Sequence, residues 1–196
     1  MWKQTIKMAT IRCPDTVLSG CLITKEKRQE IFGQVAGGAG SRKPEEFQRQ
    51  AIIDGTGIAC LKTNIRINLR TNTLKDIAHP NTQTDGFDYS EDFDGVQSIN
   101  EKNIYVNLKC IVGKGGAQTR SLREVYWFVE GQLHTLQTTP NIYFANILDG
   151  DEAHCVLSKF KYMLSLPQFA SVKNRVYVGD LKGYFDWFGR VVGTKQ

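Results

Sequence analysis

A mixed α/β sheet with helices on both faces is the architecture that this sequence implies, and three patterns carry the implication. Residues 104–112 alternate cleanly: Ile104, Val106, Leu108 and Cys110 share one face, and Tyr105, Asn107, Lys109 and Ile111 the other. That is the period of a β-strand. Residues 118–137 place Leu122, Val125, Tyr126, Val129, Leu133 and Leu136 on one stripe, the period of an amphipathic helix. Residues 141–148 are almost continuously apolar, as expected of a strand covered on both faces. Antiparallel strands followed by a helix crossing to a parallel strand make a mixed sheet.

The remaining elements follow from local signals. Residues 24–34 have helical composition, and 37–41 (Gly-Gly-Ala-Gly-Ser) read as a break. No Gly-Lys-Ser/Thr follows those glycines, so they are not a phosphate loop. Pro44 opens a helix reaching about residue 54, with Glu45 and Glu46 in its first turn. Residues 58–69 are β-rich, with Ile65, Ile67 and Leu69 alternating against polar neighbours. Residues 71–91 read as one long loop. Residues 92–96 form a short strand and 98–103 a turn. Asp149 and Asp151 start a second amphipathic helix that ends near Pro167. Residues 175–178 are a last strand, and an aromatic tail (Tyr184, Phe185, Trp187, Phe188) follows. Tyr126, Trp127 and Phe128 belong to the core or to an interface.

Length and composition point to one globular domain spanning 1–196. The chain has 196 residues, 41% hydrophobic and 23% charged, enough for a full core. No apolar run is long enough to cross a bilayer, and the first residues lack a secretory pattern. The five cysteines, Cys13, Cys21, Cys60, Cys110 and Cys155, are odd in number and contain no C-x-x-C. Zinc-ribbon and redox-pair chemistry are therefore not signalled. Cys110 and Cys155 read as small core residues, and a cytoplasmic, reducing setting is expected. Net charge is +5, a mild bias toward a polyanionic partner. Its distribution is more telling. Asp85, Asp88, Glu91, Asp92 and Asp94 precede a stretch carrying Lys102, Lys109, Lys114, Arg120 and Arg123.

The candidate chemistry lies where those two stretches meet. Asp94 precedes a strand, and Asn107 and Lys109 share one face of the next. A lysine two residues along a strand from a metal ligand lies about 6–7 Å away on the same pleated face. Its ammonium can polarise a water or steady developing negative charge. His79, His134 and His154 are too far apart in sequence to suggest a triad. Pro14-Asp15, followed by Glu26 and Lys27, lacks strand alternation and is set aside.

This pattern resembles the PD-(D/E)xK nuclease superfamily, and within it the type II restriction-endonuclease-like members. The resemblance covers about residues 44–148 and implies a core of order αβββαβ. By position, Asp94 corresponds to the first carboxylate, Lys109 to the lysine, and Asn107 to the second acid, here an amide. The resemblance implies a Mg²⁺-dependent endonuclease cutting double-stranded DNA as a homodimer. Asp94 and Asn107 would hold the metal. It also leaves open a nuclease-like fold that only binds DNA. The missing negative charge has three candidate sources. Glu46 lies on the first helix and Asp92 beside Asp94. Glu124 lies on the following helix, but by phase falls about opposite the apolar stripe and is expected to point to water. Lys114, Gln118 and Arg120, on the Gly-rich turn and the helix start, are expected DNA contacts. Gln118 falls on the inner side of the helix and could reach the site.

Overall fold

Two sheets form. The larger has the order β3-β4-β5-β6, with β3 (Gly95–Ile99) antiparallel to β4 (Lys102–Cys110), and β5 (Ile142–Asp149) and β6 (Val176–Gly179) parallel to β4. A bridge between Leu61 and Val96 extends it beyond β3. The smaller is a hairpin of β1 (Ile65–Asn68) and β2 (Thr73–Asp76). Among the described residues there are five α-helices: α1 (Lys25–Phe32), α2 (Arg42–Thr56), α3 (Gly116–Thr138), α4 (Asp151–Ser165) and α5 (Leu181–Val192). These features come from a computed structural model that describes residues 10–33, 42–81, 83 and 86–193. The glycine break at 37–41 and Asp85 lie outside the described residues.

The alternation of β4 sorts its side chains into two cores. Ile104, Val106 and Leu108 join Ile52 of α2, Ile147 of β5 and Tyr184, Phe185 and Phe188 of α5. On the opposite face, Phe93, Phe144 and Tyr105 pack with the α3 stripe and with Phe160 and Met163 of α4. Helices thus cover both faces of a mixed sheet, as the periodicities imply. Each fully buried large apolar side chain contributes about 1.5–3 kcal/mol.

Three local readings change. Residues 71–91 are not one loop, because Thr73–Asp76 folds back on β1. Asn72 supplies the left-handed turn at φ 53°, a conformation asparagine tolerates. The 98–103 turn is tighter than expected. Asn100 and Glu101 both adopt positive φ, which gives a two-residue hairpin turn. The aromatic tail is the centre of α5, capped by Asp180, whose carboxylate accepts the Gly183 N–H at 2.8 Å. Burial of Tyr184, Phe185, Trp187 and Phe188 supplies the helix with its partner face. All five cysteines are free, and Cys155 is exposed on α4 rather than buried. No helix among the described residues is long and apolar enough to cross a membrane.

Candidate active site

Phe93 sets the position of Asp94. Its ring is buried against Phe144 (5.2 Å, stacked), Phe128 (4.9 Å) and Tyr105 (5.3 Å), and its N–H donates to Ile65 O. The next residue is thereby held at the mouth of the β3–β4 pair. There Asp94 Oδ2 accepts the Leu108 N–H at 2.7 Å, and Arg49 of α2 donates to the Asp94 carbonyl at 2.6 Å. Gly95 lets Cys60 pack closely against the strand start: a Cβ there would lie 2.5 Å from Cys60 Sγ.

Lys109 reaches the same place from β4. Its ammonium donates to Glu91 at 3.4 Å. Burial pulls its proton affinity down, but Asp94, Glu91 and Glu45 together outweigh burial and raise it above its ordinary value. Asp94 shifts upward, chiefly through burial, with Glu91 adding to the shift; Lys109, the Leu108 N–H and Arg49 oppose it. Glu45 shifts upward too, first through burial and then through the charge of Asp94. One ammonium, one guanidinium and three carboxylates therefore form a single electrostatic cluster.

Two hollows meet at Glu45. The larger, about 630 Å³, is bounded by Glu45, Glu91, Asn107, Lys109, Glu124 and Trp127 among others. The smaller, about 350 Å³, is bounded by Glu45, Glu46, Arg49, Asp92 and Asp94 among others. The site sits at the carboxyl end of β4, where open α/β sheets place their ligand crevices.

Asn107 is held by a buried amide chain. It is 3% exposed and pairs across the sheet with Asn146 of β5. Its Nδ2 donates to Asn146 Oδ1 at 3.2 Å. Asn146 and Gln132 of α3 exchange two further bonds at 2.7 and 3.0 Å, and Asn146 Nδ2 also donates to the Tyr177 carbonyl. That carbonyl only accepts, so it orients Asn146 with Oδ1 toward Asn107. The position opposite must then supply a donor, which a carboxylate cannot. Here lies a physical reason for an amide on this strand.

The other predicted residues are distributed unevenly. Glu46 is exposed on the outer hollow, and Glu45 is the α2 carboxylate that faces Lys109. Burial of Gln48, Ala51 and Ile52 sets the rotation of α2, and Glu45 precedes Gln48 by three residues on that face. Asp92 is tied to Arg66 at 3.1 Å, and Asp88 likewise pairs with Arg70. Glu124 is exposed, yet it lines the larger hollow rather than pointing away from it. Phe128, four residues on, turns inward to Phe93 and widens the buried face of α3. Gln118 lines a hollow with Lys25 and Arg28 that adjoins the larger one at Arg28, Cys110 and Ser121; it is not among the residues bounding the larger one with Lys109. The helix begins two residues earlier than its pattern suggests, and Gln118 folds back over Gly115. Lys114 and Arg120 are exposed near the start of α3.

Glu45, Arg49 and Glu91 are the contributors that motif reasoning missed. For the first two a signal existed: they are four residues apart on one helix, alongside the apolar face. Among the described residues, no three His, Cys, Asp or Glu side chains form a metal-gripping group. Mg²⁺ needs less, because it is commonly held by one or two carboxylates plus waters and substrate phosphate. Asp94 and Glu45 line the same hollow, and the charge of Asp94 raises the Glu45 carboxyl; together they are two oxygen donors of the kind such a cation takes. Comparison of the chain with protein-family models, curated proteins and solved structures finds no match.

Proposed function

We propose that this chain is a Mg²⁺-dependent endonuclease that hydrolyses phosphodiester bonds of double-stranded DNA, of the restriction-enzyme type. The carrying observation is that Asp94 and Lys109, from opposite sides of one antiparallel pair, belong to a single charge cluster where two open hollows meet, Asp94 lining one and Lys109 the other. The element order supports the same reading. Helix α2, the one-residue Leu61 bridge, β3, β4, α3 and β5 are compatible with the αβββαβ order of the PD-(D/E)xK core, with the β1–β2 hairpin inserted between the bridge and β3.

In this proposal Asp94 and Glu45 hold the cation, with the Asn107 carbonyl oxygen as a neutral supplement. When bound there, Mg²⁺ contributes Lewis-acid stabilisation of the phosphoryl oxygens. Lys109 is held protonated, so it acts as a donor and not as a base. It orients the attacking water and stabilises charge building on the phosphate. Water oxygen bonds to phosphorus and gives up a proton to bulk solvent, the P–O bond to the leaving sugar breaks, and the leaving oxygen takes up a proton from solvent. Lys114 and Arg120 grip phosphates along the flanking duplex. Gln118 joins them only at a distance from the reacting centre. Action as a homodimer in the cytoplasm completes the proposal, because two-fold duplex symmetry suits a two-fold enzyme.

The test is nicking of supercoiled plasmid with Mg²⁺ or Mn²⁺, and its loss in Lys109→Ala. A second reading, a DNA-binding module without catalysis, draws on the engagement of Asn107 with Asn146. It is favoured if the protein shifts duplex DNA in a gel but leaves every plasmid uncut.

A further inference from the structure

The larger hollow is not polar throughout. Its α3 wall carries Trp127, which is 58% exposed, and Leu69 faces solvent at 44%. Leu69 packs on α3 beside Gly131, one turn beyond Trp127. Tyr126 braces the indole edge-on at 5.6 Å. Trp127 and Leu69 thus leave adjacent apolar surface open on the wall of a cleft that also holds charged groups, the mixture that ligand clefts carry. Trp127 follows Glu124 by three residues, so it stands about 4.5 Å further along the helix axis. The cavity therefore offers an ammonium and carboxylates on its sheet side and a flat apolar face on its helix side. Its volume of about 630 Å³ is within the range of sites that enclose small ligands.

We propose that Trp127, with Leu69 beside it, is a stacking platform for one unpaired base of the nucleic acid whose phosphate lies at Lys109. This rests on the nuclease reading and narrows it. A base inside a duplex is already stacked on its neighbours and cannot lie on the indole. The favoured substrate therefore has an unpaired or extruded nucleotide next to the scissile bond. Stacking on an aromatic side chain is tolerant of base identity, so the platform selects for unpairing and not for sequence.

The test uses a thymidine single strand, a blunt duplex and the same duplex with one bulged base, each titrated in EDTA by fluorescence anisotropy. Plasmid nicking is measured separately with Mg²⁺. The expected result is that Trp127→Ala weakens binding of the single strand and the bulge by about tenfold or more, with little change for the blunt duplex. Trp127→Phe stays within about threefold of wild type, because it keeps a π-face. Protein fluorescence is quenched on binding in wild type and much less in Trp127→Phe. If Trp127→Ala binds all three probes as wild type does while nicking persists, the platform is overturned and the nuclease reading stands. If the substitution instead breaks self-association in sedimentation and spares binding, the indole is a contact between copies, and the platform again falls. If wild type neither binds nor nicks any probe, both proposals fail together.

Discussion

Two strand-end aspartates show how one physical circumstance leads to two roles. Asp94 and Asp149 both sit at the end of the main sheet where β4 and β5 finish, and burial pushes both above their ordinary value. Asp149 is enclosed. Gln48 donates to it at 2.6 Å and the Leu181 N–H at 3.0 Å, while the neighbouring charge of Asp180 adds to a shift that reaches about 6. It joins α2, β5 and α5 and faces no substantial cavity. Asp94 is half enclosed, with an ammonium and a guanidinium beside it and open space in front. Burial raises a carboxylate in either case. Access and a neighbouring cation are what set Asp94 apart from Asp149.

The same substitution at both sites tests the contrast most severely. Asp94→Asn is expected to reduce nicking by about a hundredfold or more, the usual scale for removing one charge-stabilising group from an active site. Its melting temperature should hardly move. Asp149→Asn should retain nicking. Equal loss of activity in both variants would erase the distinction drawn between them.

Asp149 should instead govern stability against pH. The folded chain binds its proton more tightly than the unfolded chain does, so this group contributes most below its ordinary value of 3.8. That contribution is lost as pH rises toward about 6. The change across this window is about 3 kcal/mol. Urea unfolding at intervals between pH 4 and 6 should show a steeper decline for wild type than for Asp149→Asn. Parallel curves would show that the buried carboxyl is not shifted as described.

Asn107→Asp probes the edge of the proposed site. Without metal, its carboxylate would face Asn146 Oδ1, two acceptors meeting in the buried chain. A loss of about 1–3 kcal/mol is expected in EDTA, with partial recovery on adding Mg²⁺ if the cation binds beside it. A variant as stable as wild type in EDTA would remove the explanation offered for the amide. The smallest effect is expected at Asp180→Ala, which removes the α5 cap and bonds to Gly20 and Ser19. A loss of about 1–2 kcal/mol, read by thermal melting with nicking unchanged, would place it with Asp149 on the structural side.

Much of the frame was legible because periodicity is local. The faces of β4, the stripe of α3 and the buried run of β5 can be read from neighbouring residues, and with them the mixed sheet. Asp94 and Lys109 could be paired on paper because a short hairpin separates them. The amide chain could not, since Asn107 and Asn146 lie 39 residues apart and only the register of β4 on β5 brings them level. The parts taken by Glu45 and Glu124 were not legible for a related reason. A helix's pattern gives its apolar side, but the exact rotation depends on what that side meets. Gln48 and Ile52 turned Glu45 inward, and Phe128 carried Glu124 to the cavity.

What the chain determined by itself is therefore which residues lie on a common face, because backbone geometry repeats every two or 3.6 residues whatever surrounds it. What tertiary structure decided is which of those faces share a space. That depends on strand order and helix docking, and it made Asp94 an open, cation-flanked carboxylate and Asp149 a closed one.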